Sequence, residues 1–458
     1  MTIRRIALFG ASGDLTSRLI MPAIAQLAEA ELLPPGLTIT GSANTDWSAE
    51  DFHRHIADEL DKHASAVTPS ARDAVLGMLD YRAADVTDPD DVRRVLSTGD
   101  ADREPALVYL ALPSGLLQSV LPALATAGLG AGDAVAIEKP FGTDLASARH
   151  LNEILRTRLP LPTIFRVDHF LSDELVRRVM VLRFLNRVFE PTWNAVHVDH
   201  VDISWLESLA LEGRASYYDK AGALKDMVQN HLMEVMALVL MEEPARIDAD
   251  SFRGNRVEAL RAVATPAKDR MRTDTVRARY TAGTIGERHI PSYTDEPGVD
   301  PARATETYAS LTLQVDNARW HGTPFTLRSG KGMAQDAAEI AIHFRPAPAY
   351  LLDRWPGIQP NVLRLGLKQP YVRLTTTLNG PDRTAENREL ELSSAGSRRT
   401  PYANLFLEML RADATLFIRG DETEEAWRII DPVVTAWTAA GVPMQEYPAG
   451  EAPPGPTG

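Results

Sequence analysis

The sequence predicts a two-part fold, an α/β Rossmann-like, doubly wound coenzyme domain followed by a large α+β domain with a mainly antiparallel sheet. Three observations predict it. Apolar runs of strand length alternate with helical patterns over residues 6–165, the signature of a parallel sheet with helices on its faces. The first run ends at the glycine turn Gly10-Ala11-Ser12-Gly13-Asp14-Leu15 and passes straight into a helix. From about Val276 onward, short segments alternate apolar and polar residues, as in an antiparallel sheet covered on one face. At 458 residues the chain is too long for one core. The expected division is a dinucleotide-binding domain over 1–170, a substrate and oligomerisation domain over 171–446, and a flexible tail over 447–458.

Taken in order, residues 6–9 form the first strand, and Leu19, Ile20, Pro22, Ala23, Ile24 and Leu27 recur at helical spacing behind the turn. Glycine there permits positive φ and close backbone approach, and the helix N-terminus offers N–H groups to a pyrophosphate. Gly10, Ser12, Gly13, Asp14 and Leu15 are therefore candidate coenzyme contacts. The pattern is G-x-x-G without a third glycine, which an ordinary β-α turn also produces. The second strand, 37–41, leads to Asn44 and Thr45, where the adenosine ribose is normally met. No Arg or Lys lies between Arg18 and Arg54, so NAD is favoured over NADP, which stays open as the alternative. Further units follow: residues 83–87 with a helix near 91–96, the strand 106–112 ending at Pro113, another candidate coenzyme contact, then the helix 116–127 and the strand 134–137. That strand runs into Glu138-Lys139-Pro140-Phe141-Gly142, placing Lys139 at the carboxyl edge where such sheets bind ligands. A helix over 143–158 and a strand over 161–165 complete the domain.

Asp168-His169 follows among apolar neighbours, a carboxylate beside an imidazole that can act as an acid/base pair. The same dipeptide also reads as a turn in which Asp168 caps the next helix. A helix over 176–189 and a strand over 198–205 ending at Glu207 precede a long helix over 217–242, which carries Asp226, Asn230 and His231. At α-helical spacing Asp226 and Asn230 share a face, with His231 about one and a half turns from Asp226. Strands at 276–280, 308–315, 325–328, 337–344, 362–367, 371–378 and 389–392 build the sheet, and helices near 401–412 and 424–440 close the domain. The Pro- and Gly-rich run from Glu446 is expected to be loose.

Composition narrows the function. Cysteine is absent, which excludes disulfides, thiolate nucleophiles and cysteine-ligated metal sites. The net charge of −14 argues against nucleic-acid binding. No apolar run is long enough to span a membrane, and the N-terminus reads as a structural strand, so a cytoplasmic protein is expected.

The motifs together resemble the glucose-6-phosphate dehydrogenase family: GASGDL at 10–15, EKPFG at 138–142, RVDHFL at 166–171, RFLNRVF at 183–189, KDMVQNHL at 225–232, ETYASLTLQVDN at 306–317 and RSGK at 328–331. They cover nearly the whole chain in order. The resemblance implies that His231 is the general base taking the proton of a sugar C1 hydroxyl while hydride leaves for the nicotinamide, and that Asp168 orients it and stabilises its imidazolium. It implies that Glu207, Asp226 and Lys331 hold sugar hydroxyls, that Lys139 lies between substrate and nicotinamide beside a cis proline, and that the product is a lactone formed without a metal. A homodimer or homotetramer is the expected assembly.

The departures from the family pattern are equally specific. The 6-phosphate grip implied by the resemblance keeps His169, but Phe170 replaces a tyrosine, Asp173 a lysine and Asp336 a cation, while Leu19 replaces the lysine of the first helix. Losing two charge-assisted contacts at roughly 1.5–3 kcal/mol each and gaining two carboxylates would repel a dianion. NADP-using relatives also carry arginine where Asn44 and Thr45 stand. The expected substrate is accordingly a non-phosphorylated or amino sugar, oxidised at C1, with Asp173 and Asp336 facing an amine. Glucose 6-phosphate oxidation in the oxidative pentose phosphate pathway is the alternative, with Arg177, Arg178 or Lys220 restoring the missing charge. A catalytically silent nucleotide-binding regulator is the alternative from another class.

Overall fold

The structure is a computed structural model and describes residues 2–97, 104–130, 132–159, 163–171, 173–213, 215–381, 384–393, 399–439 and 441–455. It divides into two compact units. One comprises Met1–Val176, Pro244–Gly254 and Ser397–Glu424, the other Arg177–Glu243, Asn255–Gly396 and Glu425–Gly458. Pro244–Gly254 and Ser397–Glu424 lie outside a contiguous first domain ending at residue 170.

The first unit is built on six parallel strands, β1 (Arg5–Phe9), β2 (Thr38–Ala43), β3 (Leu79–Ala83), β4 (Ala106–Leu110), β5 (Ala134–Glu138) and β6 (Thr163–Val167), in the order β3-β2-β1-β4-β5-β6. The chain direction across the sheet reverses between β1 and β4, the crevice where doubly wound sheets take their ligand. Ile6, Ala7, Leu8 and Phe9 of β1 and every residue of β4 are buried, as strands covered on both faces require. Helix Met21–Glu29 packs against helix Pro401–Leu410, and Phe406 of the latter stacks on Tyr109 with centroids 5.1 Å apart. The residue 3 N–H also bonds to the Leu410 carbonyl at 2.8 Å. The return of this distant helix supplies apolar cover that the first 176 residues lack on that face.

The second unit carries β7 (Val198–Leu206), β8 (Val263–Ala264), β9 (Thr275–Thr281), β10 (Gly283–Ile285), β11 (Arg288–Ile290), β12 (Tyr308–Val315), β13 (Phe325–Gly330), β14 (Ala337–Phe344), β15 (Val362–Gly366), β16 (Tyr371–Asn379), β17 (Ala385–Ser393) and β18 (Met444–Pro448). Ten of these form one sheet in the order β17-β16-β15-β14-β7-β13-β12-β9-β18, with β8 beside β12, while β10 and β11 pair separately. The sheet is mainly antiparallel, with β7 and β13 parallel and β9 and β18 parallel. Its inner face is apolar through Val201, Ile203, Phe325, Leu327, Ile340 and Ile342, all buried. The opposite face carries Asp202, Arg328, Glu339 and His343.

Two expectations are corrected. The single helix over 217–242 is three segments: Ala215–Ala223 with Gly222 at φ 68°, ψ 173°, the π-helix Leu224–Leu232, and the α-helix Met233–Leu240. Apolar periodicity does not register a break at one glycine. The tail is not loose from Glu446, because β18 pairs in register with β9 and Tyr447 lies buried opposite Tyr280. Composition counted the prolines and glycines beyond 448 and overlooked Tyr447, which with Ala449 is buried in the core at an open sheet edge. The last residues of that tail, 456–458, lie outside the described residues, as do 161 and 162 at the start of the expected sixth strand.

The Tyr447 hydroxyl donates to the Lys331 carbonyl at 2.7 Å and lies 2.9 Å from the Thr307 hydroxyl. Tyr447→Ala is expected to destabilise the chain by about 3–5 kcal/mol, and Tyr447→Phe by about 1–2 kcal/mol, in urea denaturation.

Candidate active site

In the first unit, Gly10 ends β1 at φ 85°, and a Cβ there would stand 2.1 Å from the Ala111 carbonyl oxygen. Only glycine lets the two switch-point strands come this close. The Gly13 N–H bonds to the Gly10 carbonyl at 3.0 Å and the Thr16 hydroxyl to the same oxygen at 3.1 Å. The chain then enters the π-helix Thr16–Ile20 ahead of the helix Met21–Glu29. Ser12 is tied across the turn by the Thr45 hydroxyl at 3.1 Å, and the Tyr81 hydroxyl donates to the Thr45 carbonyl at 2.6 Å. Gly10, Ser12, Gly13, Asp14, Leu15 and Asn44 thus cluster at the carboxyl ends of β1 and β2. Pro113 sits beyond the end of β4, opening the short helix Ser114–Leu116.

At the end of β5, Glu138 precedes Lys139, whose peptide bond to Pro140 is cis. The Glu138 carboxylate accepts hydrogen bonds from the Tyr109 hydroxyl and from the Tyr402 hydroxyl, the latter at 3.2 Å. Burial pushes its carboxyl up to about 7, against the two tyrosine hydrogen bonds and Lys139, with the Asp168 charge adding to the rise. After β6, Asp168 is buried and one carboxylate oxygen accepts the Phe170 N–H at 2.9 Å, capping the turn His169–Leu171. The capping role and a chemical role for Asp168 are therefore compatible, because a carboxylate has two oxygens. His169 is exposed and stacks on Tyr402, centroids 5.9 Å apart.

In the second unit the π-helix changes the geometry of the motif KDMVQNHL. Its i→i+5 hydrogen bonding places residues five apart on one side, so Asp226 and His231 share a side that α-helical spacing denies them. The buried Glu306 carboxylate accepts the Leu224 N–H at 3.0 Å and starts this segment. Burial raises the Glu306 carboxyl above its usual range. His231 is buried, and its own N–H is held by the Asn230 amide oxygen at 2.6 Å. The Tyr217 hydroxyl donates to Asp226 at 3.2 Å.

Lys331 is buried at the end of β13, with its ammonium 2.7 Å from Glu207 and 5.4 Å from the Tyr218 ring centroid. A buried ammonium needs such a partner. Backbone bonds fix both ends: Glu207 N–H to Gly330 O at 2.9 Å and Lys331 N–H to Thr307 O at 3.0 Å. Glu207 and Lys331 are thereby brought together as an ion pair, and Asp226 is joined to Tyr217.

Asp336 does not behave as an open amine partner. Its carboxylate accepts the Ser208 N–H and hydroxyl, both at 2.7 Å, and lies 3.7 Å from the Lys368 ammonium. The Ser208 hydrogen bonds, then Lys368, hold its carboxyl below the usual range. Asp173 begins the helix Asp173–Phe184, and its side chain lies outside the described residues. Leu19 is 45% exposed. Among the cations considered as substitutes, Arg178 bonds to the Gly366 carbonyl, and Lys220 is exposed.

Sequence reasoning did not single out Tyr109, Glu138 and Tyr402, nor Tyr217, Ser208, Glu306 and Lys368. The signal for Glu138 was available, a carboxylate as the last residue of a buried strand. Tyr402 and Lys368 are too far along the chain for any local pattern to pair them with their partners.

The switch-point glycine turn on a parallel sheet and the buried Lys331–Glu207 pair beside a histidine-bearing helix define a nucleotide-binding oxidoreductase of Rossmann type. The profile "Glucose-6-phosphate dehydrogenase, NAD binding domain" matches residues 7–178 and "Glucose-6-phosphate dehydrogenase, C-terminal domain" matches 180–457. The chain belongs to the glucose-6-phosphate dehydrogenase family. It is 35% identical to glucose-6-phosphate 1-dehydrogenase of Treponema pallidum over 97% of this chain and 91% of the relative. With the enzyme of that name from Zymomonas mobilis it shares 34% over 98% and 95%. The crystal structure of glucose-6-phosphate 1-dehydrogenase from Mycobacterium avium superposes with a TM-score of 0.85 at 31% identity, covering 98% of this chain and 94% of that one. A glucose-6-phosphate dehydrogenase in complex with glucose 6-phosphate superposes with a TM-score of 0.87 at 28% identity, covering 99% and 96%.

These findings overturn the expectation of a non-phosphorylated or amino sugar, since the relatives are glucose-6-phosphate 1-dehydrogenases and one of them holds that substrate. The physical reason lies partly at Asp336. Repulsion of a phosphate requires an unopposed carboxylate, whereas the Lys368 ammonium 3.7 Å away offsets the Asp336 charge and Ser208 engages one of its oxygens. Among the described residues no helix is long and apolar enough to cross a membrane.

The Glu138 carboxyl, raised from 4.5 to about 7, favours the fold in its protonated form. That contribution is complete below pH 4.5 and is lost as pH rises to about 7, a change of about 3 kcal/mol at most. Glu138→Gln is expected to flatten the fall in urea stability across this window, and a slope identical to wild type would place the titration elsewhere.

Proposed function

We propose that the protein is an NAD(P)-dependent dehydrogenase that oxidises the C1 hydroxyl of glucose 6-phosphate to the lactone, passing hydride to the nicotinamide. The observation that carries this reading is similarity over 97% of the chain to an enzyme of that activity, with Asp168, His231 and Lys331 of the motif residues in buried positions. His231, buried on the π-helix, takes the hydroxyl proton as hydride departs, and Asp168 keeps the role its motif assigns. Glu207, Asp226 and Lys331 bind sugar hydroxyls, His169 meets the phosphate, and Lys139 serves the approach of substrate to nicotinamide. A nicotinamide dinucleotide fits the first unit, because the close approach at Gly10 and the following helix N-terminus form a pyrophosphate cradle. The group supplies the hydride acceptor. A silent regulator is disfavoured by Lys331, since a buried ammonium paired to Glu207 has no purpose in nucleotide binding by the other unit. The working form is a homodimer or homotetramer in the cytoplasm.

NAD is the preferred coenzyme in this proposal. Asn44 and Thr45 bring no charge to a 2′-phosphate, and the nearby arginines are engaged: Arg18 with Asp14 at 3.5 Å, Arg54 with Asp51 at 3.1 Å, and Arg82 with the Ser97 carbonyl at 2.9 Å.

The test is NAD(P)H absorbance with glucose 6-phosphate, glucose and glucosamine. Glucose 6-phosphate is expected to show the highest kcat/KM, by roughly tenfold to a hundredfold given one charge-assisted phosphate contact, at His169, of roughly 1.5–3 kcal/mol. Equal efficiency with glucose would overturn the assignment. His231→Ala is expected to lower kcat by roughly 10²–10⁴ with nucleotide affinity nearly unchanged. Asn44→Arg is expected to raise kcat/KM for NADP relative to NAD, while a wild-type enzyme preferring NADP would show that another cation reaches the ribose.

A further inference from the structure

The polar face of the large sheet holds a constellation that the dehydrogenase reaction does not use. His200 and His343 are direct cross-strand partners on β7 and β14. Their rings stack with centroids 4.0 Å apart and 13° between planes. Asp202 lies two residues beyond His200, so strand alternation puts it on the same face, and its carboxylate is 3.6 Å from His343 Nε2. One ligand atom from each of these three side chains lies within 4.8 Å of the other two.

We infer that His200, Asp202 and His343 form a binding site for a divalent transition metal ion, with zinc the ion that fits best. Two imidazoles and one carboxylate are a donor set suited to zinc, leaving a fourth position for water. Tetrahedral bonds of about 2.1 Å place ligand atoms roughly 3.4 Å apart, against an observed spacing within 4.8 Å, so binding turns the two imidazoles out of their stack until their lone pairs converge. The ligands come from two adjacent strands of a ten-stranded sheet, a rigid base for such a site. A neighbour orients the ligand as well: Asp199 Oδ2 lies 2.9 Å from His200 Nδ1. A carboxylate accepting the Nδ1 proton leaves Nε2 with its lone pair directed outward, the arrangement found around metal-bound histidines. The His200 side chain is 39% exposed and that of His343 23%, which leaves the ion a route in.

Opposing charge sets the strength. Arg328 Nη1 lies 3.2 Å from the same Asp202 oxygen that faces His343. An ion must share Asp202 with this guanidinium, so the site is weaker than a closed structural zinc centre, and removing Arg328 strengthens it.

The test is calorimetric titration of the full-length protein with zinc chloride, counting equivalents per chain. Wild type is expected to bind one equivalent that His343→Ala and His200→Ala each remove or weaken at least tenfold. Asp199→Asn is expected to weaken it by about tenfold through the lost orienting acceptor. Arg328→Gln is expected to tighten it severalfold, a gain that damage to the fold cannot mimic. Zinc uptake of unchanged stoichiometry and affinity in His343→Ala, or no tightening in Arg328→Gln, would overturn the site.

Discussion

The geometry of the second unit depends on one buried carboxylate, Glu306, meeting the backbone at the start of the histidine-bearing helix. Its Oε1 takes the Leu224 N–H at 3.0 Å, and its own carbonyl takes the Ala223 N–H at 3.2 Å. The space for this carboxylate exists because residue 222 is glycine: a Cβ at Gly222 would lie 2.4 Å from Glu306 Oε1, and its φ of 68° is costly for any other residue. Broken and restarted here, the chain continues as a π-helix. Short π segments recur at functional sites because they turn side chains that α-helical spacing would separate. Asp226 and His231 reach a common side by this means.

A comparable constraint governs the first unit. Gly10 brings β1 against the Ala111 carbonyl at the switch point, and the chain again passes through a π segment, Thr16–Ile20, before its first α-helix. In both units a glycine that cannot carry a side chain precedes a π-helix, and the second of these bears Asp226 and His231. The buried Glu138, with two tyrosine hydroxyls on its carboxylate, anchors the end of β5 from which Lys139 departs.

Much of this was legible in the sequence. Strand and helix alternation located five of the six strands of the first sheet, because a parallel sheet buries whole apolar runs; the third was expected over 83–87 and lies at Leu79–Ala83, where only Leu79 and Tyr81 are buried. The turn at Gly10 and the edge lysine at 139 could be read because both follow directly from a strand end. Most of the second sheet's strands were visible through alternation, though β8 and β18 were not, and their order was hidden, since β7 pairs with β13 and β14 across more than a hundred residues. The register of the histidine helix was hidden because one glycine and one distant glutamate decide it. The substrate was misjudged for a similar reason. The charge of Asp336 was evident from its identity, while the ion pair with Lys368 and the hydrogen bonds from Ser208 are tertiary facts.

The central claim is that the Gly222 and Glu306 contact sets the π-helical register on which His231 depends. Measuring kcat/KM for glucose 6-phosphate in Gly222→Ala, with nucleotide affinity and circular dichroism recorded on the same protein, tests it most directly. The account predicts a loss of about a hundredfold or more in kcat/KM, as expected for a displaced general base, with nucleotide affinity retained by the other unit. Near-wild-type kcat/KM in this variant would contradict it.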